Sequence, residues 1–334
     1  MKNSRQFPDL LQSFFTERLM HQRQASAHTI ASYRDTFRLL CGFAQQRIHK
    51  EPSALAIQDL NAEFIGAFLS DLEKTRGIGA RTRNIRLAAI HSFFRYVAIT
   101  EPIYSAVSQR VLAIPTKRFD RKPIDFLTAP EIDALLAAPD QTTWAGRRDY
   151  TFLLTAVQTG LRVSELVGLR CEDIVLGAGA HVRCLGKGRK ERLTPLRKQA
   201  VIILRGWLRE RGGHPAEPLF PNRRGGSLSR DGVEYLIAKH VAHARHSCPT
   251  LSKKRVSAHV LRHSLAMSLL NHGTDPSIIA LWLGHESVET TRMYVHADMA
   301  MKERALAKMD SSRTRRPPRR YRPDDNLLAF LKAL

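Results

Sequence analysis

Apolar residues recur at helical spacing along most of the first third of this chain. From Phe7 to Arg23 they fall at Leu10, Leu11, Phe14, Phe15 and Leu19, a near-helical period that predicts one helix. Ser26 or Thr29 can cap a second helix running through Tyr33, Phe37, Leu40 and Phe43. Pro52 to Leu55 reads as a connector. Asn61 to Lys74 carries Phe64, Ile65, Phe68, Leu69 and Leu72 on one side, and Gly77 and Gly79 break the pattern. The stretch RTRNIRLAAIHSFFRYV follows, with Ile85, Ala88, Ala89, Phe93 and Val97 as its apolar positions. Residues 1–112 are thus expected to form a helical domain.

The pattern changes at Ile114 to Lys122, IPTKRFDRK, which is charged, contains a proline and is poor in apolar residues. It predicts an exposed linker, placed at 113–126. A second domain is expected from Leu127 to residue 311. Thr128 and Glu131 form a T-x-x-E capping box before IDALLAA. A largely apolar helix from Arg147 to Thr159 stops at Gly160, and Ser164 is a plausible N-cap for the short helix after it. HVRCLG and ERLTPL alternate as strands do. They flank Gly186-Lys187-Gly188-Arg189-Lys190, which predicts a β-hairpin with a basic tip. Helices are then expected over Ala200–Arg211, from a Ser229 cap to Ala244, over Ala258–Asn271, and from Asp275-Pro276 to near Gly284. A further segment bears Tyr294. The fold class expected is mainly α, with a small β-sheet in the second domain. Residues 312–334 form a tail. SSRTRRPPRRYRP should be extended or disordered on its own, and DDNLLAFLKAL is a short amphipathic helix that is marginal unless it docks.

Charge narrows the function. Lys and Arg number 53 against 31 Asp and Glu, a formal charge of +22 over 334 residues. So basic a protein calls for a polyanion, with nucleic acid first and an anionic membrane surface second. No apolar run approaches the roughly 20 residues of a spanning helix. MKNSRQFPDLL has no apolar core of signal-peptide length, so a cytoplasmic, nucleoid-associated protein is expected. Arg81, Arg83 and Arg86 lie in the first two turns of their helix, Lys117 and Arg118 in the linker, and Arg189 and Lys190 at the hairpin tip. These are the candidate DNA-backbone contacts. Four scattered cysteines suggest reduced thiols. His240, His243, His246 and Cys248 have spacings that could place ligands on one helix face. The alternative is a polar face near the DNA backbone, and no metal site is assigned.

Within HVLRHSLAMSLLNHGTDPSIIALWLGHESVETTRMYVH, a His and an Arg stand three apart, a Gly-His step follows, and a lone tyrosine comes later. A phenol with a pKa of about 10 attacks phosphorus at neutral pH only with a proton acceptor and a strong positive field. Arg162 and Arg262 are the natural pair of planar forks for two non-bridging oxygens. His285 is a third donor. Lys187, on the hairpin, has the reach to protonate a sugar leaving group. His259 could take the Tyr294 proton or help place the phosphate. Taken singly, each has a plainer reading. Arg162 could simply pair with Glu165 or Asp173, and the histidines could be helix-end residues.

TGLRVSEL, GKGRKERLTPL, HVLRHS, LGHES and TTRMYVH, in that order, resemble the tyrosine recombinases, or phage integrase family, and in particular its Xer-like and simple integrase members. HTIASYRDTFRLLCGFA and RTRNIRLAAIHSFFRYV resemble that family's helical core-binding domain. The resemblance implies a two-domain, C-shaped DNA clamp. It implies Arg162, Lys187, His259, Arg262 and His285 as the activating set, with Tyr294 as nucleophile. It also implies a 3′-phosphotyrosyl link, a Holliday junction, and neither metal nor cofactor. Partners would be double-stranded DNA with inverted-repeat core sites, in a homotetramer or an assembly with sibling recombinases, with the last helix docking on a neighbour. The task would be integration or excision, transposition or dimer resolution. Two other readings compete: a DNA-binding protein without strand transfer, and relaxation of DNA like a type IB topoisomerase.

Overall fold

The structure, a computed structural model, describes residues 5–119, 124–186, 191–284 and 291. Lys187, Arg189, Lys190, His285, Tyr294 and the tail lie outside the described residues. The chain divides into two compact units, Met1–Lys122 and Pro123–Leu334.

The described part of the first unit is helical. Helix α1, Phe7–Ser13, runs directly into π-helical turns over Phe14–Gln22. The expected single α-helix therefore widens halfway. Phe14 and Leu19, five apart, are both buried, a spacing that suits the wider turn. Helix α2 is Ala27–Ile48, and Ser26 caps it by accepting from the Thr29 N–H at 3.2 Å. Helix α3 is Ala62–Arg76, capped by Asn61 and closed by Gly77 at φ +60°. Helices α4, Ala80–Thr100, and α5, Ser105–Leu112, complete the unit. The core is aromatic: Phe93 meets Phe14, Phe37 and Phe94 edge-on at 5.2 to 5.5 Å between centroids.

Helix α4 keeps Ala89, Phe93 and Val97 inward as expected but not the other two positions. Leu87, Ile90, Phe93, Phe94 and Val97 are buried, whereas Ile85 and Ala88 are exposed. The arginines of its first turns differ accordingly. Arg81 is exposed. Arg83 is buried and donates to the Pro115 carbonyl at 3.2 Å. Arg86 donates to the Ser32 carbonyl and the Thr36 hydroxyl, both at 3.1 Å, tying α4 to α2. Asn84 holds the stretch after α5 through both the N–H and the carbonyl of Lys117. Lys117 pairs with Glu73 at 2.7 Å, while Arg118 is exposed. Three of the five described candidate DNA contacts, Arg83, Arg86 and Lys117, thus have partners within this unit.

In the second unit, α6 is Ala129–Ala137, with the Thr128 N–H bonded to Glu131 at 2.8 Å. Helix α7 is Trp144–Thr159 and ends at Gly160, φ +62°. Helix α8 is Val163–Gly168, and its N-cap is Arg162, not Ser164. Strands β1 (Ile174–Val175), β2 (His181–Leu185) and β3 (Glu191–Pro195) form an antiparallel sheet in the order β1-β2-β3. The sequence pattern showed β2 and β3 but not the two-residue β1. Helices α9 (Lys198–Arg211), α10 (Arg230–Ala244), α11 (Ala258–Asn271) and α12 (Pro276–Leu283) follow. The main core gathers Phe152, Leu161, Val182, Leu204, Leu236 and Leu261. A second cluster joins α11 to α12 through Leu265, Leu270, Ile279 and Leu283.

Of the histidines on α10, His243 is exposed, as a polar outer face requires, but His240 departs from both earlier readings. His240 is buried, and its Nε2 lies 2.8 Å from Asp149, which also accepts from Arg148. Its imidazole therefore serves an internal network on α7 instead of a metal or a polar outer face. Among the described residues no three His, Cys, Asp or Glu side chains converge as metal ligands. Among them, too, no helix is long and apolar enough to cross a membrane.

Candidate active site

Two helix ends meet beside α11. Gly160 ends α7 and Gly284 ends α12, each in the left-handed conformation at φ +62° and +64°. An added Cβ at Gly160 would stand 2.8 Å from both Leu265 of α11 and Leu283 of α12. The turn therefore reaches this place only because residue 160 has no side chain. The carbonyls at such ends carry the negative pole of the helix and attract cations.

Arg262, on the first turns of α11, is 2% exposed. Its guanidinium donates to the Gly160 carbonyl and to the Leu283 carbonyl, each at 2.6 Å. Arg162 follows the α7 end by two residues and remains 30% exposed in its side chain. It donates to the Gly284 carbonyl at 2.9 Å and to Glu165 at 2.9 Å. Two guanidiniums are thus fastened to the consecutive residues Leu283 and Gly284, immediately before His285 in sequence. The plainer reading of Arg162 as a partner of Glu165 is correct as far as it goes, but that pair forms one edge of a larger cluster.

Glu165 receives more than Arg162. Arg192 of β3 donates to both its oxygens, at 3.2 and 2.9 Å, and the Arg162 backbone N–H to one of them at 2.7 Å. Burial alone would raise the Glu165 carboxyl. The hydrogen bonds from Arg192 and the Arg162 N–H, and the charge of Arg192, outweigh burial and hold it below the usual range. Arg192 also lies against Gly284, where an added Cβ would come 2.4 Å from its guanidinium.

His259 precedes Arg262 by one turn. Partial burial first, then the charges of Arg262 and Arg162, lower its pKa. It is therefore neutral at pH 7 and able to accept a proton. His263 stands edge-on to it, 4.6 Å between ring centroids. Burial, followed by His259 and Arg262, lowers the His263 pKa to about 4.

The structure thus brings together Arg162, His259 and Arg262 of the six catalytic candidates; Lys187, His285 and Tyr294 lie outside the described residues. Sequence reasoning passed over Arg192 and left His263 with a structural reading. The signal for Arg192 was present in strand alternation. It pairs with Cys184 across the hairpin, two residues before Thr194 opposite Val182, so it falls on the inner face of the sheet. A charged residue at an inward position needs a partner.

Paired guanidiniums beside an imidazole, in a basic and mainly helical chain, form a cationic site. The chain belongs to the phage integrase family: residues 125–301 match the family of that name, and residues 13–100 match its N-terminal SAM-like domain. Integrase/recombinase y4rC of Sinorhizobium fredii is 58% identical over 325 residues, 97% of each chain. Tyrosine recombinase XerC of Pelobacter propionicus is 34% identical over 286 residues, 85% of this chain and 90% of that one. In fold, the chain resembles the Tn1549 transposon integrase in complex with a circular intermediate DNA. The TM-score is 0.68 at 18% identity, over 91% of this chain and 99% of that one. The chain is a site-specific recombinase of the tyrosine type.

Proposed function

We propose that this protein cuts and rejoins DNA at specific sites with Tyr294 as nucleophile. The observation that carries the assignment of residues is the fastening of Arg162 and Arg262 to the carbonyls of Gly284 and Leu283. It supports a site in which both guanidiniums, with His285 beside them, bind the non-bridging oxygens of one phosphate. The phenol oxygen forms a bond to phosphorus, and the bond to the 5′ oxygen breaks. The phenol proton passes to His259, or His259 holds the phosphate. Lys187 gives a proton to the leaving 5′ oxygen. The released 5′-hydroxyl attacks the phosphotyrosine of a partner strand through a Holliday junction. Because one phosphoester replaces another, the exchange needs no ATP.

Partner DNA with inverted-repeat core sites, a homotetramer or a mixed assembly, and docking of residues 324–334 on a neighbour belong to the same proposal, as does a place in the cytoplasm with the nucleoid. The domain roles are proposed likewise: residues 1–112 as the core-binding arm, 127–311 as the catalytic part. A nicked suicide duplex, its site selected by binding from a random library, tests the chemistry. The wild type should form a covalent adduct that Tyr294→Phe abolishes while still binding the duplex. No adduct from the wild type on a tightly bound site, or an adduct retained by Tyr294→Phe, would sink it. Lys187→Ala should slow this cleavage but spare a 5′-bridging phosphorothiolate, whose leaving group needs no proton.

A further inference from the structure

We propose that Arg192 is a positioning residue of the recombination site, acting through Glu165 to hold Arg162 in the geometry that receives the phosphate. The inference rests on the reading of Arg162 as a phosphate ligand. Arg162 begins a short helix and is partly exposed, so its own packing does not fix a long side chain. What fixes it is Glu165 on one side and the Gly284 carbonyl on the other.

Both supports depend on Arg192. It grips Glu165 as a planar fork, one nitrogen to each oxygen, and shares both oxygens with Arg162. Its own side chain is 12% exposed and that of Glu165 is 4% exposed, so the pair has little freedom to drift. The same guanidinium packs on the α-carbon of Gly284, the residue whose carbonyl takes the second bond of Arg162. Arg192 reaches this place from β3, at the start of the strand that follows the hairpin tip. A lysine there would keep the charge but could not bridge two carboxylate oxygens with a rigid fork.

The test uses the full chain, Arg192→Lys and Arg192→Gln, on the suicide duplex. Each should lose roughly tenfold to hundredfold in cleavage rate, as expected for a misplaced catalytic group, with DNA affinity within about threefold of wild type. Two readouts separate positioning from mere folding. In a double-mutant cycle, Arg192→Lys should add less than about threefold to the loss caused by Arg162→Lys. On a duplex with a neutral methylphosphonate at the scissile position, which needs less from Arg162, the Arg192→Lys defect should shrink in the same way as that of Arg162→Lys. Multiplicative losses in the cycle, or an undiminished defect on the methylphosphonate, would overturn the proposal. So would loss of folding in both Arg192 variants on thermal melting, since Arg192 would then be structural only. A wild type that forms no adduct would instead defeat the underlying reading of the site.

Discussion

Gly160 joins stability to chemistry, and Gly160→Ala measures the join. The residue sits at φ +62°, where a side chain costs about 1 kcal/mol in backbone strain. The added methyl would meet a Leu265 and a Leu283 carbon at 2.8 Å each, so both must move. Overpacking of that kind costs about 1–3 kcal/mol. The total is about 3 kcal/mol, and for a unit of about 200 residues that lowers Tm by roughly 6–12 °C. Gly179→Ala is the control. It has the same left-handed backbone, at φ +69°, but nothing within 4 Å of an added Cβ. It should cost only the strain. Calorimetric or far-UV melts of both variants therefore isolate the packing contribution, about 2 kcal/mol by difference. The Gly160 carbonyl also holds Arg262, so Gly160→Ala should slow adduct formation on the suicide duplex while Gly179→Ala leaves it unchanged. Equal melting temperatures for the two variants would refute the close approach of α7, α11 and α12 on which the site is built.

Two further outcomes are expected. His263 has a pKa near 4 when folded against 6.5 when free, so between these values the unfolded chain binds a proton that the folded chain refuses. Stability should therefore fall as pH drops below about 6.5, by about 1 kcal/mol at pH 5 once partial exposure is allowed for, and His263→Gln should flatten that slope in urea titrations. An unchanged slope would remove His263 from the desolvated pair with His259. Burial raises the Cys184 thiol to about 11, so it should react with a maleimide at pH 7.5 far more slowly than the other cysteines, and rapid labelling of Cys184 in native protein would contradict its buried place opposite Arg192 in the sheet.

Much of this fold was legible because periodicity and caps agree. Ser26, Asn61, Ser229 and Asp275 each accept a backbone N–H at a helix start, and Gly77, Gly160 and Gly284 close helices at positive φ. Failures arose where tertiary partners override local pattern. Ile85 and Ala88 fit the helical period of α4 as well as Leu87 and Ile90 do, and only packing against α2 and α5 decides between them. Arg83 and Arg86 look like a solvated cationic edge until the carbonyls of Pro115 and Ser32 are known. Within the site, chemistry and order in the sequence marked Arg162, His259 and Arg262. Strand alternation marks Arg192 as inward, but its partner Glu165 was illegible because it comes from a helix 27 residues away.

The charges of the described cluster also fit the reaction assigned to it. Arg162, Arg192 and Arg262 set three positive charges against the single carboxylate of Glu165. A carboxylate opposite Arg262 would cancel the field that a phosphate must meet; helix-end carbonyls orient the guanidinium and leave its charge intact. Glu165 is the exception, and it is shared, so it fixes two arginines while cancelling only one of them. The remaining excess is about two charges. A phosphodiester brings one negative charge, and attack by a deprotonated phenol raises it to two in the transition state. The described cluster therefore already exceeds the charge of the ground-state phosphodiester, as suits a site whose demand for positive charge rises in the transition state.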